Sequence, residues 1–339
     1  MPKNAQSVSL QDVAREAGVS PSTVSRALNR PDLVAPETRK RILAVADALG
    51  YVPDQVARSL KRGESQAIGL ILSDISVFFH AEVAMGVEEV VQEHGYSLIL
   101  FHSQECPERE RAGLELLKSY RVKGVILEPT GKNRALEEAL VKEGIRVVEV
   151  DRISGARHVP SVLSDNPYGA QLAARRFLEA GHFRAAVIAG DLELTSCRER
   201  TESFIQSFME GGGRVEEVIT CPSTPEGGYE AAKRYLNLTQ PPQALFVTTG
   251  QMAQGALKAL KESNRMLPED VSLIVFDDPP WAELVTPPIT ALRQRARDIG
   301  RRAALAVLRK GENRKRVMRI PPDWVERMSV KKVLAEGTR

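Results

Sequence analysis

LQDVAREAGVSPSTVSRALN, residues 10–29, reads as two short helices joined at Gly18-Val19-Ser20. Leu10, Val13, Ala14 and Ala17 fall at i, i+3, i+4 and i+7, which places them on one apolar helix face. Ser9 precedes that face with Asp12 three residues on, a capping-box arrangement. Gly18 can take the left-handed conformation that ends a helix. Ser20 is a good cap for the next helix, and Pro21 suits its first position. Helix, short Gly-containing turn and helix make a helix-turn-helix pattern. Val24, Ala27 and Leu28 face inward on the second helix, which turns Ser22, Thr23 and Arg26 outward. Small hydroxyls and a guanidinium fork are side chains that reach base edges in a major groove, Arg26 by a bidentate contact to guanine. The alternative for the hairpin alone is an ordinary solvated helix pair.

The following residues continue the theme. RPDLV is a turn, and Ile42, Val45, Ala46 and Leu49 form the apolar stripe of a third helix starting near Pro36. Gly50-Tyr51-Val52-Pro53 ends it, and Asp54 to Lys61 is one more short helical stretch. An isolated helix of that length is marginal in water, so it needs a partner to hold it. Residues 1–62 carry ten Lys or Arg against six acids, +4 in a chain whose net charge is +3. A basic head on a near-neutral body suits binding to a phosphate backbone.

Taken together, VSLQDVAREAGVSPSTVSRALN and GYVPDQVARSLKRG resemble the head of the lactose-repressor/galactose-repressor family of bacterial transcription regulators, and the resemblance runs through nearly all 339 residues. It implies a DNA-binding regulator, a repressor of carbohydrate-metabolism genes, working as a homodimer on a near-palindromic double-stranded operator. The DNA-contacting residues it implies, together with those read above, are Ser9, Ser20, Ser22, Thr23, Arg26, Asn29, Ala57, Leu60 and Lys61. Leu60 matches the hinge-helix leucine that wedges into the minor groove at the operator centre, a strategy that kinks DNA.

From Ala67 onward, β-branched runs such as AIGLIL, GVILE, ALFVTT and SLIVFD alternate with helical stretches. Continuous apolar strands between helices indicate parallel sheets buried on both faces. About 270 residues of this pattern calls for two lobes. The fold class expected is thus an all-α helix-turn-helix head plus an α/β, two-lobed core with parallel sheets, which the resemblance implies is periplasmic-binding-protein-like. The boundaries expected are a head over 1–50, a hinge over 51–66 and a core over 67–339. Lobe 1 takes 67–163 and 294–320, and lobe 2 takes 164–293 and 321–339. No internal repeat is legible. SVKKVLAEGTR carries no leucine heptads, so the expectation is a dimer and not a tetramer.

Ligands of open α/β sheets bind at the carboxyl ends of the strands. The effector residues expected there, sharpened by the resemblance, are Phe79, His80, Asp151, Arg152, Arg200, Thr249, Asp277 and Trp281. Many relatives have Asn-Pro where this chain has Val77-Phe78, and Asn-Asp where it has Thr249-Gly250, which weakens the case for a simple hexose. Two guanidinium forks suit an anion. The effector expected is therefore a sugar acid, then a sugar phosphate, then a neutral sugar. The alternative for Arg152 is that it pairs with Asp151 or Asp165 and never meets the ligand.

Other classes fit poorly. No P-loop, G-x-S-x-G or His-Glu-x-x-His is present, so neither an enzyme nor catalytic residues are expected. Cys106, Cys197 and Cys221 have no metal-ligand spacing, and neither a metal nor a cofactor is expected. No apolar run approaches a membrane span and no secretory signal precedes the head. A cytoplasmic protein, nucleoid-associated when operator-bound, is expected, with no membrane partner. A transport solute-binding protein would have export features and no basic head.

Overall fold

The computed structural model describes residues 8–51, 65–309 and 316–333. The chain splits into two compact units, Met1–Ser65 and Gln66–Arg339.

In the first unit three helices form: α1 (Leu10–Glu16), α2 (Pro21–Asn29) and α3 (Pro36–Ala48). Ser9 and Asp12 close the capping box on α1, and Ser20 caps α2 by accepting from the Thr23 amide. Gly18, at φ +64, makes the turn. Val13, Ala14, Ala17, Val24, Ala27, Ile42 and Ala46 are buried together. Leu49, assigned to the same stripe, remains 36% exposed. Seven mostly small buried side chains make a thin core, so little apolar area is removed from water.

The second unit holds two six-stranded sheets. The first has the order β11-β5-β4-β3-β1-β2, all parallel, from β1 (Ala67–Leu72), β2 (Ser97–His102), β3 (Gly124–Leu127), β4 (Arg146–Val150), β5 (Ser161–Ser164) and β11 (Val317–Ile320). The second has the order β12-β10-β9-β8-β6-β7, from β6 (Arg184–Ala189), β7 (Arg214–Thr220), β8 (Ala244–Val247), β9 (Ser272–Phe276), β10 (Thr290–Arg293) and β12 (Asp323–Val325). Only the β10–β12 pairing there is antiparallel. Shifting every number by five turns the order β5-β4-β3-β1-β2 into β10-β9-β8-β6-β7. The two lobes therefore repeat one topology although no repeat is legible in the sequence.

Helices cover both faces of each sheet, as continuous apolar strands require. On sheet 1, α4 (Phe78–Glu93) and α11 (Ala296–Leu308) take one face, and α5 (Pro107–Ser119) and α6 (Arg134–Lys142) the other. On sheet 2, α9 (Pro225–Leu236) and α10 (Gly250–Glu262) take one face, and α7 (Asn166–Glu179) and α8 (Thr195–Glu210) the other. The chain passes from sheet 1 to sheet 2 between β5 and α7, returns between β10 and α11, and leaves again between β11 and β12. Helix α4 begins at Phe78, so Phe78, Phe79 and His80 lie in its first turn.

Candidate functional site: a helix-turn-helix surface and an interlobe cleft

In the head, Ser22 and Arg26 lie one helical turn apart on the exposed face of α2. Four predicted contacts, Ser9, Ser20, Ser22 and Thr23, are partly engaged within the head. The Ser20 hydroxyl lies 2.8 Å from both Ser22 Oγ and Thr23 Oγ1, and Ser9 Oγ donates to Asp12 at 2.6 Å. Asn29 is the last residue of α2. Ala57, Leu60 and Lys61 lie outside the described residues.

In the second unit a cavity of about 1080 Å³ opens between the lobes, at the carboxyl ends of the strands. Phe79, His80, Asp151, Arg152, Arg200, Thr249 and Asp277 all line it. Trp281 does not. It sits on a 3-10 turn, Pro280–Glu283, packed against the α9–α10 side of sheet 2, and lines a neighbouring groove of about 780 Å³.

The lobe 1 wall is built around Glu128, directly after β3. Its carboxylate accepts from the Ser73 amide at 2.7 Å and the Ser73 hydroxyl at 3.1 Å. Arg152 Nη2 lies 2.9 Å from it and His80 Nε2 3.3 Å. Burial alone would raise this carboxyl, but His80 and Arg152 together hold it far below the usual carboxylate range. Burial would likewise depress His80, yet Glu128 outweighs it and the imidazole is pushed up to about 9. Its other nitrogen, Nδ1, is 2.7 Å from the Asp74 carbonyl, so both ring nitrogens have acceptors, as an imidazolium needs. Arg152 also bonds Glu105 at 2.7 Å.

On lobe 2, Arg200 is 3% exposed and surrounded. Nε donates to Asn166 Oδ1 at 2.8 Å and Nη1 to the Thr248 carbonyl at 3.0 Å. Its guanidinium carbon lies 4.0 Å from the centre of the Phe276 ring, a cation–π contact. Nη2 faces Asp151 across the cleft at 3.6 Å. Ser196 Oγ donates to Asp151 at 3.0 Å, and the Ile153 amide donates to Thr195 Oγ1 at 3.0 Å. These contacts join the lobes.

Asp151 and Asp277 follow β4 and β9, equivalent strands of the repeated topology, and both have positive φ, 63° and 89°. A pair of strained aspartates facing one cavity is a reason to look for function there. Asp277 accepts from Gln294 Nε2 at 2.6 Å and from the Gly250 amide at 3.1 Å. Burial raises its pKa, opposed by Arg200. Thr249 caps α10 by accepting from the Met252 amide.

The expectation of two free guanidinium forks is not met. Arg152 pairs with neither Asp151 nor Asp165 but with Glu128 and Glu105, and Arg200 is engaged by Asn166, Thr248 and Asp151. Glu128, Glu105, Gln294 and Ser196 were missed. Glu128 and Gln294 each stand immediately after a strand, so the strand-end rule reaches them when applied without exception. Two buried polar atoms on the cleft wall lack a partner, Arg152 Nε and Gln294 Oε1.

Among the described residues no cluster of three His, Cys, Asp or Glu is placed to hold a metal ion, and no helix is long and apolar enough to cross a membrane.

Residues 9–54 match bacterial regulatory proteins of the lacI family, and residues 174–330 match a periplasmic-binding-protein-like domain. The chain is 33% identical over 335 residues to the HTH-type transcriptional repressor PurR of Haemophilus influenzae (strain PittEE), covering 96% of this chain and 99% of that one. PurR of Vibrio atlanticus (strain LGP32) is 31% identical, with 95% and 98% covered. Among solved structures, the Lac repressor bound to ONPG in its repressed state superposes with a TM-score of 0.86 at 24% identity, covering 96% of this chain and all of that one. A transcriptional regulator CelR–cellobiose complex superposes at 0.72 with 27% identity, covering 95% and 99%. A helix-turn-helix head, a two-lobed core with a ligand-sized cleft and full-length repressor relatives converge on one conclusion. The chain belongs to the lacI family of bacterial regulatory proteins and is a DNA-binding transcriptional repressor.

Proposed function

We propose that this repressor binds a near-palindromic operator as a homodimer and that a small uncharged sugar, bound between the lobes, controls its affinity. The observation that carries the effector class is that Arg152 and Arg200 are already neutralised and hydrogen-bonded. A sugar acid would have to displace Glu128, Asp151 or the more exposed Glu105 from one of them, and a displaced Glu128 or Asp151 would be a buried charge without that partner. Asp277, Asp151 and Gln294 Oε1 instead offer acceptors to hydroxyl donors. The order expected from sequence is therefore reversed, with a neutral sugar ahead of a sugar acid. The 27%-identical relative in complex with cellobiose supports a sugar. Phe78 and Met85, two turns apart on α4 and 48% and 45% exposed, give a dimer an apolar contact surface.

In the head, Ser22 and Arg26 read bases while the Ser9 and Ser20 hydroxyls keep their capping roles. Titration calorimetry with matched neutral sugars, sugar acids and sugar phosphates tests the effector class, and tighter binding of an acid than of its parent sugar overturns it. Arg200→Ala is expected to abolish the effector response while operator binding survives.

A further inference from the structure

Behind sheet 1, away from the cleft wall, lie three buried carboxyl groups: Glu110 on α5, Glu137 on α6 and Glu149 on β4. Among the described residues none of them forms an ion pair. Glu110 is covered by the Thr130 amide and hydroxyl and by Asn133 Nδ2. Arg134 Nε on α6 donates to Glu138 at 3.3 Å, and the Arg157 backbone amide donates to the same carboxylate at 3.0 Å. Glu149 accepts from the Ser154 amide at 2.8 Å and the Ser161 hydroxyl at 2.9 Å. Ser154 Oγ stands between two carboxyls, 2.6 Å from Glu149 Oε1 and 3.0 Å from Glu137 Oε2, and it also accepts from the Ala156 amide.

A hydroxyl has one proton to donate. It cannot donate to two carboxylates at once, so one of the pair must carry a proton, which it donates to Ser154 Oγ or to the other carboxyl. Glu149 is met by several donors, whereas Glu137 Oε1 is buried with no partner. The proton therefore sits on Glu137.

We propose that Glu137, Glu149 and Ser154 form a proton-held latch that positions the loop carrying Asp151, Arg152 and Ile153 at the effector cleft. Asp151 and Arg152 sit on the cleft wall, and the Ile153 amide reaches lobe 2 at Thr195. Ser154 is the next residue, and the latch ties it to sheet 1 and α6. Loss of the Glu137 proton would place a second anion beside Glu149 in a buried site that forms no ion pair among the described residues, and the loop is the movable member. Burial and the neighbouring Glu149 push the Glu137 carboxyl up to about 9, so the latch is closed at neutral pH and opens in alkali. Its regulatory consequence rests on the effector reading of the cleft, but the latch itself does not.

Hydrogen exchange on the full chain, corrected for intrinsic rates, reads it without any effector. The Ile153, Ser154 and Ala156 amides are expected to lose protection about tenfold per pH unit above 9 in the wild type. In Glu137→Gln, whose amide donates to Ser154 at every pH, the loss is absent. Ser154→Ala is expected to leave these amides unprotected already at neutral pH while β4 stays protected. Equal alkaline loss in wild type and Glu137→Gln, no alkaline loss in the wild type, or a protected loop in Ser154→Ala each overturns the latch. A failed sugar titration with these exchange results intact would sink the effector reading alone.

Discussion

Arg26 illustrates what a single residue can decide. It is exposed on α2, one turn from Ser22. If it reads guanine, Arg26→Ala costs about 1–3 kcal/mol at one base pair per half-site and relaxes preference only there. Binding measured on an operator library distinguishes this from a phosphate contact, for which the loss is uniform. Glu137 makes a second single-residue prediction. Its folded pKa of about 9 lies above the ordinary 4.5, so the folded chain keeps a proton that the unfolded chain releases. The associated stability is complete below about 4.5, declines as pH rises and is gone above about 9. Glu137→Gln should therefore gain in melting temperature over wild type as pH goes from 6 to 9, with little difference near 4. A constant gap across that range would contradict a protonated Glu137. None of this was legible in the sequence, where Glu137 and Glu149 look like ordinary surface acids on amphipathic elements. Only the fold brings α6, β4 and the 154 loop together.

At the scale of elements, the strongly periodic ones were readable and the weak ones were not. Strands β1, β3, β8 and β9 announce themselves as runs of Ile, Leu and Val, whereas β5, β10, β11 and β12 are three or four residues long and have no such run. Helix α11 is quieter still, because four of the six residues of its buried stripe are small, Ala296, Gly300, Ala303 and Ala304, with only Ile299 and Val307 large. Their smallness has a cause. A Cβ on Gly300 would run into the Val83 carbonyl of α4, and one on Gly86 into the Arg297 carbonyl of α11. The two backbones approach through paired glycines, and Gly228 on α9 with Gly255 on α10 does the same in lobe 2. Gly300→Val should therefore lower core stability by about 1–3 kcal/mol through overpacking, despite relieving a helical glycine. Denaturant titration with an unchanged slope checks it, and a neutral or stabilised variant would mean that the helices separate freely.

For the whole molecule, the repeated topology explains why the cleft was only half readable. Placing sites at strand ends needs only the strand pattern, and that located Asp151, Arg152, Thr249 and Asp277. Knowing which charges cancel needs the facing elements. Glu128 reaches Arg152 from the next strand of the sheet, and Asp151 reaches Arg200 from the other lobe. The division into two compact units carries the last prediction. Among the described residues the head has seven buried core residues, whereas four large clusters stabilise the rest. Heating should accordingly give two calorimetric transitions, the head melting first. Each ligand stabilises only the unit that binds it, by about 2.7 kcal/mol at a hundredfold excess over Kd. Operator DNA should raise the first transition and leave the second, and a bound sugar should raise the second. The two ligands added together then measure their coupling directly, as any shift beyond the separate ones. A single transition raised equally by DNA and by sugar would show that head and core unfold as one body, and control of operator affinity would then require no separate head equilibrium.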